Sequence, residues 1–189
     1  MVRNDKNMDN NNNNIGLLGA SFNPPHLGHR AVVEDLLNKK VFDAIWLIPV
    51  YFHAFMKNLA PFSDRLAMTE LLALNINKHN VKVLPIEQEL NLKPSYTYDV
   101  LAALKTKFPH NSFSLILGSD IKSNLNKWHR IDELKKLASF YFIPRKGFEE
   151  SPYPEVSSTE IRERLKKGLS IEHLTTAEIV AYIENNKIY

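Results

Sequence analysis

Two histidines stand three residues apart in the stretch GASFNPPHLGH, which runs from Gly19 to His29 and follows the short apolar run IGLL. Residues at positions i and i+3 of a helix lie on the same side, so the imidazoles of His26 and His29 face the same direction. Gly28 between them lets a bulky group approach the backbone. Such a pair can donate hydrogen bonds to phosphate oxygens as negative charge builds in a transition state. A helix cap or a metal site is the alternative interpretation.

The turn before the histidines predicts an anion site. Four residues place backbone N–H groups at the end of the first predicted strand: Gly19, Ala20, Ser21 and Phe22. The helix that follows carries a partial positive charge at its N-terminus, and free backbone N–H groups beside such a terminus bind anions. The turn and the paired histidines therefore indicate the same chemistry, the binding of phosphate.

A second candidate site lies near the other end of the chain, in VSSTEIRERL. Ser157, Ser158 and Thr159 open a helix, where their amides and hydroxyls can hold phosphate. Arg162 lies in the first turns of that helix, and its guanidinium can bind phosphate oxygens. A capping box of Ser157 and Glu160 explains the start of the helix equally well, but it does not explain Arg162.

Strand-like and helix-like segments alternate from Ile15 onward and must position these residues. Five apolar runs are typical of buried strands: IGLLG, AIWLIPV, VKVLPIE, FSLILG and SFYFIP. Two helical segments follow the last of them, the second with a predicted capping box of Thr175 and Glu178. The alternation predicts an α/β fold, a Rossmann-like doubly wound parallel sheet with helices on both faces and a small helical C-terminal part. Ligands bind such sheets at the carboxyl ends of the strands, beside a topological switch point.

Other candidates follow from this arrangement. Asp120 comes after Gly118 at the end of the fourth strand, where it can bind a ribose hydroxyl, influence a metal ion or cap a helix. Trp128 follows the polar run SNLNK, which indicates a loop, and its flat face suits an aromatic ligand. Tyr96 and Thr97 begin a helix whose N-terminus can meet a nucleotide, although a plain helix start explains them too.

Length and composition limit the class of protein. The chain has 189 residues, and we expect a disordered leader at 1–14 and one domain at 15–189, with its helical part at about 156–189. Met8 is an alternative start to Met1. Cysteine is absent, and no secretory signal or bilayer-spanning run is present, which favours a cytoplasmic protein. The net charge of +3 comes from scattered residues, so nucleic acid is not an expected partner, and without a bilayer-spanning run a membrane is not expected either.

The motifs resemble those of a known superfamily. GASFNPPHLGH is similar to the first signature of nucleotidyltransferases with an H-x-G-H motif, and VSSTEIRERL resembles their second. Four further segments resemble one family, the bacterial nicotinate mononucleotide adenylyltransferases: PSYTYDVL, GSDIKSNLNKWHRIDEL, IPRKG and IVAYIENNKIY. Ala20 and Asn23 depart from the usual glycine and aspartate. The loop YFHAFMKNLAPFSDR, with His53 and Lys57, matches the family least closely.

The resemblance implies adenylyl transfer from ATP to nicotinate mononucleotide, a step of NAD biosynthesis that yields nicotinate adenine dinucleotide and pyrophosphate. The expected catalytic residues are His26, His29, Arg162 and Lys57. The expected ATP-binding residues are Gly19, Ala20, Ser21, Phe22, Gly28, Gly118, Asp120, Ser157, Ser158 and Thr159. The mononucleotide is expected to meet Tyr96, Thr97 and Trp128. Mg²⁺ held mainly by the ATP phosphates is the expected cofactor, without a metal site of the protein's own.

Several alternatives stay open at this point. The acceptor could instead be nicotinamide mononucleotide or another phosphorylated compound such as phosphopantetheine, although we expect faster turnover of the nicotinate form. The same fold could also serve a non-catalytic nucleotide sensor. Lys57 could reach the transferred phosphate or be an ordinary loop lysine, and the role of His53 is equally open. A homo-oligomer is compatible with the sequence.

Overall fold

The computed structural model describes residues 12–52, 59–76, 80–145 and 147–189. Most of the predicted leader, residues 1–11, lies outside the described residues, as does the part of the loop with His53 and Lys57. The strands are β1 (Asn14–Ala20), β2 (Ala44–Pro49), β3 (Val81–Val83), β4 (Ser112–Gly118) and β5 (Ser139–Ile143). The helices are α1 (Leu27–Asn38), α2 (Phe62–Leu74), α3 (Ile86–Glu89), α4 (Thr97–Lys107), α5 (Ile131–Leu137), α6 (Ser158–Lys166) and α7 (Ala177–Asn186).

The described strands form one sheet in the order β3-β2-β1-β4-β5, and every neighbouring pair is parallel. The chain winds outward from β1 to β3 and then returns to β4 on the other side of β1. The strand order therefore reverses between β1 and β4. Loops that leave the carboxyl ends of these two strands diverge to opposite faces, and the gap between them is a ligand site in folds of this kind.

The two faces of the sheet carry separate apolar clusters. Along β2, Ile45 and Leu47 belong to one cluster, while Trp46 and Ile48 belong to the other, as the two-residue period of a strand requires. Residues of α1, α2, α6 and α7 complete the first cluster. Residues of α4 and α5 complete the second. Burial on both faces explains why the strands read as continuous apolar runs.

Two local predictions were wrong, one for the start of α7 and one for the segment after β4. The predicted capping box of Thr175 and Glu178 does not form, because α7 begins at Ala177 with Thr176 in the cap position. Thr175 is buried and donates a hydrogen bond elsewhere, to the carbonyl oxygen of Pro25. The polar run after β4 is a 3₁₀ helix over Ser119–Lys127 and not a loop, so Trp128 follows a helix. No helix in the described parts of the chain is long and apolar enough to cross a membrane.

Candidate active site

A cavity of about 550 Å³ lies at the carboxyl ends of β1 and β4. The predicted site residues that line it are Gly19, Ala20, His26, Gly28, His29, Gly118 and Ser157. Parallel pairing of β1 with β4 brings the first turn beside Gly118, although the two are far apart in the sequence. The cavity therefore stands at the switch point, where the alternation of strands and helices predicts a ligand.

The two histidine rings lie against one another in this cavity, with centroids 3.8 Å apart. The backbone N–H of His26 donates a hydrogen bond of 3.2 Å to Nδ1 of His29. Because Nδ1 accepts, the neutral ring of His29 carries its proton on Nε2. His29 therefore presents an N–H donor from a side chain whose orientation is held by the backbone of the first helical turn.

Both imidazoles are neutral at pH 7. Burial, with a smaller contribution from the positive charge of Arg145, lowers the pKa of His26 from 6.5 to about 4. Burial also holds the pKa of His29 well below its usual value, with smaller contributions from His26 and Arg145. Two neutral rings can share this small space without the repulsion that two imidazolium ions would experience.

Gly28 is required by the position of the His26 ring. A Cβ atom on residue 28 would lie 3.0 Å from Nδ1 of His26 and 3.4 Å from the carbonyl oxygen of Pro154. The bulky group that approaches this backbone is thus the neighbouring imidazole itself, together with the loop before α6. Nδ1 of His26 is buried and has no hydrogen-bond partner among the described residues.

Arg145 is a cavity residue that the sequence analysis did not select. It follows β5, its backbone N–H donates to Oγ of Ser119, and its side chain lies 3.4 Å from a carboxylate oxygen of Asp120. The available signal was its position just beyond a strand that neighbours β4, within the segment IPRKG. Gly118 is fitted to this group, because a Cβ there would collide with Oδ1 of Asp120.

The second motif contacts the first one directly. Ser157 caps α6 by accepting the N–H of Glu160 at 3.1 Å. Ser158 donates through its hydroxyl to the carbonyl oxygen of Pro24 at 2.8 Å. Arg162 donates to the carbonyl oxygen of Asn23 at 2.6 Å. Two segments separated by more than a hundred residues therefore form one structural unit around the first turn.

Arg162 does not line the 550 Å³ cavity. Together with Asn23 it lines a second cavity of about 650 Å³, whose other charged side chains include Asp64, Lys166 and Lys187. Besides its bond to Asn23, the guanidinium donates to Oγ1 of Thr159 at 3.3 Å. A guanidinium has five N–H donors, so these two bonds leave others free for a ligand.

The predicted mononucleotide residues form a separate group. Tyr96 caps α4 and stacks on His129 with ring centroids 4.3 Å apart, while Thr97 is the first residue of that helix. Trp128 is half-buried and packs against the second apolar cluster. None of these residues lines the 550 Å³ cavity in the described part of the protein. Lys57, which was expected to reach this region, lies outside the described residues.

The remaining predicted residues support the first turn. Phe22 is buried, with a positive φ of 46°, and its ring lies 4.9 Å from that of His29. The carbonyl oxygen of Ser21 accepts a 2.8 Å hydrogen bond from the buried guanidinium of Arg65, which also donates to Val50 and Ala60. Arg65 thus joins the turn after β1 to the loop after β2. Its burial lowers its pKa, and nothing in the local sequence distinguishes it from a surface arginine.

The side chains near the cavity suit a metal ion that is held mainly by the phosphates of a bound nucleotide. Across residues 12–52, 59–76, 80–145 and 147–189, no group of three or more His, Cys, Asp or Glu side chains could hold a metal. Oδ1 of Asp120 is buried and unpaired within the described chain. Mg²⁺ prefers oxygen ligands and is commonly held by one or two carboxylates with substrate phosphates. One free carboxylate oxygen fits that pattern.

Comparisons with known proteins agree with the geometry. Residues 17–164 match the family described as cytidylyltransferase-like. The nicotinate-nucleotide adenylyltransferase of Bacillus subtilis (strain 168) is 34% identical over 185 residues, which cover 93% of this chain and 97% of that protein. The chain therefore belongs to the cytidylyltransferase-like family and is a nucleotidyltransferase. Within that family, it is similar over nearly its whole length to nicotinate-nucleotide adenylyltransferases.

Solved structures share the fold. The Plasmodium falciparum nicotinic acid mononucleotide adenylyltransferase complexed with NaAD has a TM-score of 0.81 and 24% identity, covering 93% of this chain and 97% of that chain. The same enzyme complexed with APC has a TM-score of 0.79 and 24% identity, covering 94% and 97%. The predicted doubly wound α/β fold is thereby confirmed.

Proposed function

We propose that this chain transfers the adenylyl group of ATP to the phosphate of nicotinate mononucleotide, releasing nicotinate adenine dinucleotide and pyrophosphate. Similarity to the Bacillus subtilis enzyme over almost the full length of both chains supports this acceptor. A cytoplasmic location stays a prediction.

The main observation in support of this proposal is the arrangement of His26 and His29 at the N-terminus of α1. Each ring is neutral, and Nε2 of His29 carries the ring proton because its Nδ1 accepts the backbone N–H of His26. The N-terminus of α1 adds partial positive charge at the same place. A preorganised N–H donor beside a helix N-terminus suits the charge that develops on the oxygens around a phosphorus atom under attack.

The reaction needs little from the protein beyond position and charge. A phosphate oxygen of the mononucleotide attacks the α-phosphorus of ATP and forms the new P–O bond. The bond from the α-phosphorus to its bridging oxygen breaks, and that oxygen leaves with pyrophosphate. Since the nucleophile is already an anion, no protein group must remove a proton. His26 and His29 would bind the oxygens that gain charge, because each neutral imidazole keeps one N–H group that can donate.

Other residues would bind the nucleotide around this centre. We assign the backbone of Gly19 to Phe22 and of Gly118 to close contact with ATP, and Arg145 to its negative charge, since Arg145 lines the cavity beside Asp120. Gly28 would serve ATP binding indirectly, because its missing Cβ leaves room for the His26 ring. Arg162, with its remaining donors, would bind the far phosphates. The N-terminus of α6, at Ser157 to Thr159, would assist it. Mg²⁺ would be held by the phosphates, near the free oxygen of Asp120, and would neutralise their charge.

The acceptor would lie toward α4. We assign Tyr96 and Thr97 to its binding because they stand at the N-terminus of a helix, where a phosphate or carboxylate is stabilised. Trp128 would offer its ring to the pyridine. Lys57 would approach the transferred phosphate from the loop after β2.

The test is a comparison of acceptors. Purified protein is incubated with ATP, Mg²⁺ and, in turn, nicotinate mononucleotide, nicotinamide mononucleotide and phosphopantetheine, and dinucleotide and pyrophosphate are quantified by chromatography. We expect the highest kcat/KM with the nicotinate form. A strong preference for the amide, or product from phosphopantetheine alone, would contradict the assigned acceptor. ATP binding without pyrophosphate release for any acceptor would instead indicate a nucleotide sensor.

A further inference from the structure

Three consecutive carbonyl groups ahead of His26 are each bound by a side chain from the part of the chain after β5. The carbonyl oxygen of Asn23 accepts from Arg162, and that of Pro24 accepts from Ser158. The carbonyl oxygen of Pro25 accepts from Oγ1 of Thr175 at 2.9 Å. We call the segment Asn23–Pro25 the proline turn. Its two prolines have no N–H groups, so the backbone of the proline turn can be held mainly by hydrogen bonds to its carbonyl oxygens.

The side chain of Asn23 provides a fourth attachment. Asn23 is only 2% exposed, and its Oδ1 accepts a hydrogen bond of 2.7 Å from the hydroxyl of Tyr189. The same oxygen accepts the N–H of Ala60 at 3.0 Å. One amide oxygen therefore joins the proline turn, the loop after β2 and Tyr189, which lies three residues beyond the end of α7. Burial raises the pKa of the Tyr189 phenol, so the hydroxyl keeps its proton and stays a donor.

The end of α7 directs Tyr189 to this position. Lys187 adopts a left-handed conformation with φ of 51°, and the N–H of Ile188 bonds to the carbonyl oxygen of Ile183. This pattern closes the helix and reverses the chain. Ile188 packs against the first apolar cluster, and Tyr189 then returns to Asn23. On the other side, the N–H of Leu27 donates to the carbonyl oxygen of Leu174, next to Thr175.

We propose that Thr175 and Tyr189 are positioning residues for adenylyl transfer: they fix the proline turn and thereby set where His26 and His29 point. Neither residue lines the 550 Å³ cavity in the described chain. Tyr189 lines the 650 Å³ cavity beside Arg162, but its hydroxyl donates to Oδ1 of Asn23. Fixed φ angles make the proline turn stiff, so a shift at its carbonyl oxygens moves the backbone of His26. That backbone N–H holds Nδ1 of His29, which carries the shift to the second imidazole.

This proposal rests on the proposed function, because its main readout is the rate of that reaction. The test compares Tyr189→Phe with Tyr182→Phe. Tyr182 lies on α7 and also donates through its phenol, at 3.1 Å to a carboxylate oxygen of Asp64, but it does not bond to the proline turn. The two variants remove the same chemical group from the same part of the fold, which makes the second a matched control for stability.

We expect Tyr189→Phe to lower kcat about 10-fold and to change the KM for ATP by less than about twofold. A displacement of a catalytic group by 1 Å costs about 100-fold in rate, and loss of this one hydrogen bond should displace the imidazoles by only a fraction of 1 Å. Tyr182→Phe should retain the kcat of the unmodified protein, with a similar change in Tm. Thr175→Val should lower kcat in the same way, and Thr175→Ser, which keeps the hydroxyl, should restore it.

A second readout separates this proposal from the proposed function. In ¹⁵N spectra of the imidazoles without ligand, the signals of His26 and His29 should shift in Tyr189→Phe and not in Tyr182→Phe. If the unmodified protein releases no pyrophosphate with any acceptor, the proposed function fails, and these spectra still test the positioning. The proposal is overturned if folded Tyr189→Phe keeps both the kcat and the imidazole signals of the unmodified protein. If Thr175→Val does not fold, the comparison of Tyr189→Phe with Tyr182→Phe tests the proposal without it.

Discussion

Replacing Gly28 with alanine tests whether the imidazole of His26 must stand where the structure has it. The added Cβ would lie 3.0 Å from Nδ1 and 3.1 Å from Cε1 of that ring, so the ring must give way by a few tenths of an ångström. The carbonyl oxygen of Pro154, 3.4 Å from the same Cβ, leaves no room on the other side. The ring therefore moves relative to the cavity.

The magnitude follows from this displacement. If a misplacement of 1 Å costs about 100-fold in rate, a few tenths of an ångström costs about 5- to 10-fold in kcat. Stability changes little, because alanine in place of glycine inside a helix gains about 1 kcal/mol, while overpacking costs roughly 1–3 kcal/mol. We expect a net loss of roughly 0–2 kcal/mol, measured by denaturant unfolding.

A double-mutant cycle identifies the cause of the rate loss. Pyrophosphate release is measured for Gly28→Ala, His26→Ala and the two combined. If the collision with His26 is responsible, Gly28→Ala should have no further effect on kcat once the imidazole is gone. An equal loss of rate in both backgrounds would refute this reasoning and indicate that residue 28 acts through the ligand or the loop before α6.

Three further predictions concern the same cavity. His29→Ala should lower kcat by about 10²–10³-fold with an unchanged circular dichroism spectrum, since one preorganised donor is worth that much; turnover near that of the unmodified protein would remove His29 from the site. Arg145→Gln should raise the pKa of His26 above about 4 but not to 6.5, because burial, the larger cause, persists; NMR titration measures this, and Arg164→Gln, which removes the same charge from a side chain that does not line the cavity, should leave it unmoved. Because the folded protein holds His26 neutral with a pKa of about 4 against 6.5 when unfolded, the unfolded chain binds more protons between these values. This contribution, about 3 kcal/mol, is therefore complete above pH 6.5 and is lost as the pH falls toward 4; the free energy of unfolding measured across that window should decline less in His26→Gln.

Much of the fold could be predicted because its signals are local. Each strand is a short apolar run bounded by Gly, Pro or polar residues, and alternation with helices restricts the sheet to parallel pairing. The predicted start of α7 was wrong by one residue, because Thr175 and Thr176 are adjacent and both suit a cap position. A tertiary hydrogen bond to Pro25 holds Thr175 outside the helix. Local capping preferences do not include such a partner 150 residues away.

The residues of the candidate site also fall into those that local spacing identifies and those whose role depends on tertiary contacts. His26, Gly28 and His29 could be selected from spacing because they stand together at the start of one helix, with His26 in the N-cap position. Arg65 could not, because its hydrogen bonds join it to carbonyl oxygens on two loops. Arg145 offered only the weak signal of a position just beyond a strand. Nor could the sequence assign Arg162 to the carbonyl oxygen of Asn23, since that bond exists only once α6 packs beside the first turn.

By itself, the sequence determined which chemical groups this nucleotidyltransferase has and in what order they occur, because helical and strand periods and turn residues act over a few positions. Only the tertiary structure decided their charge states and their orientation. Burial makes the imidazoles neutral, and Thr175, Arg162 and Tyr189 reach the proline turn from distant parts of the chain. Desolvation and long-range hydrogen bonds depend on what surrounds a group in space, and sequence neighbours do not specify that.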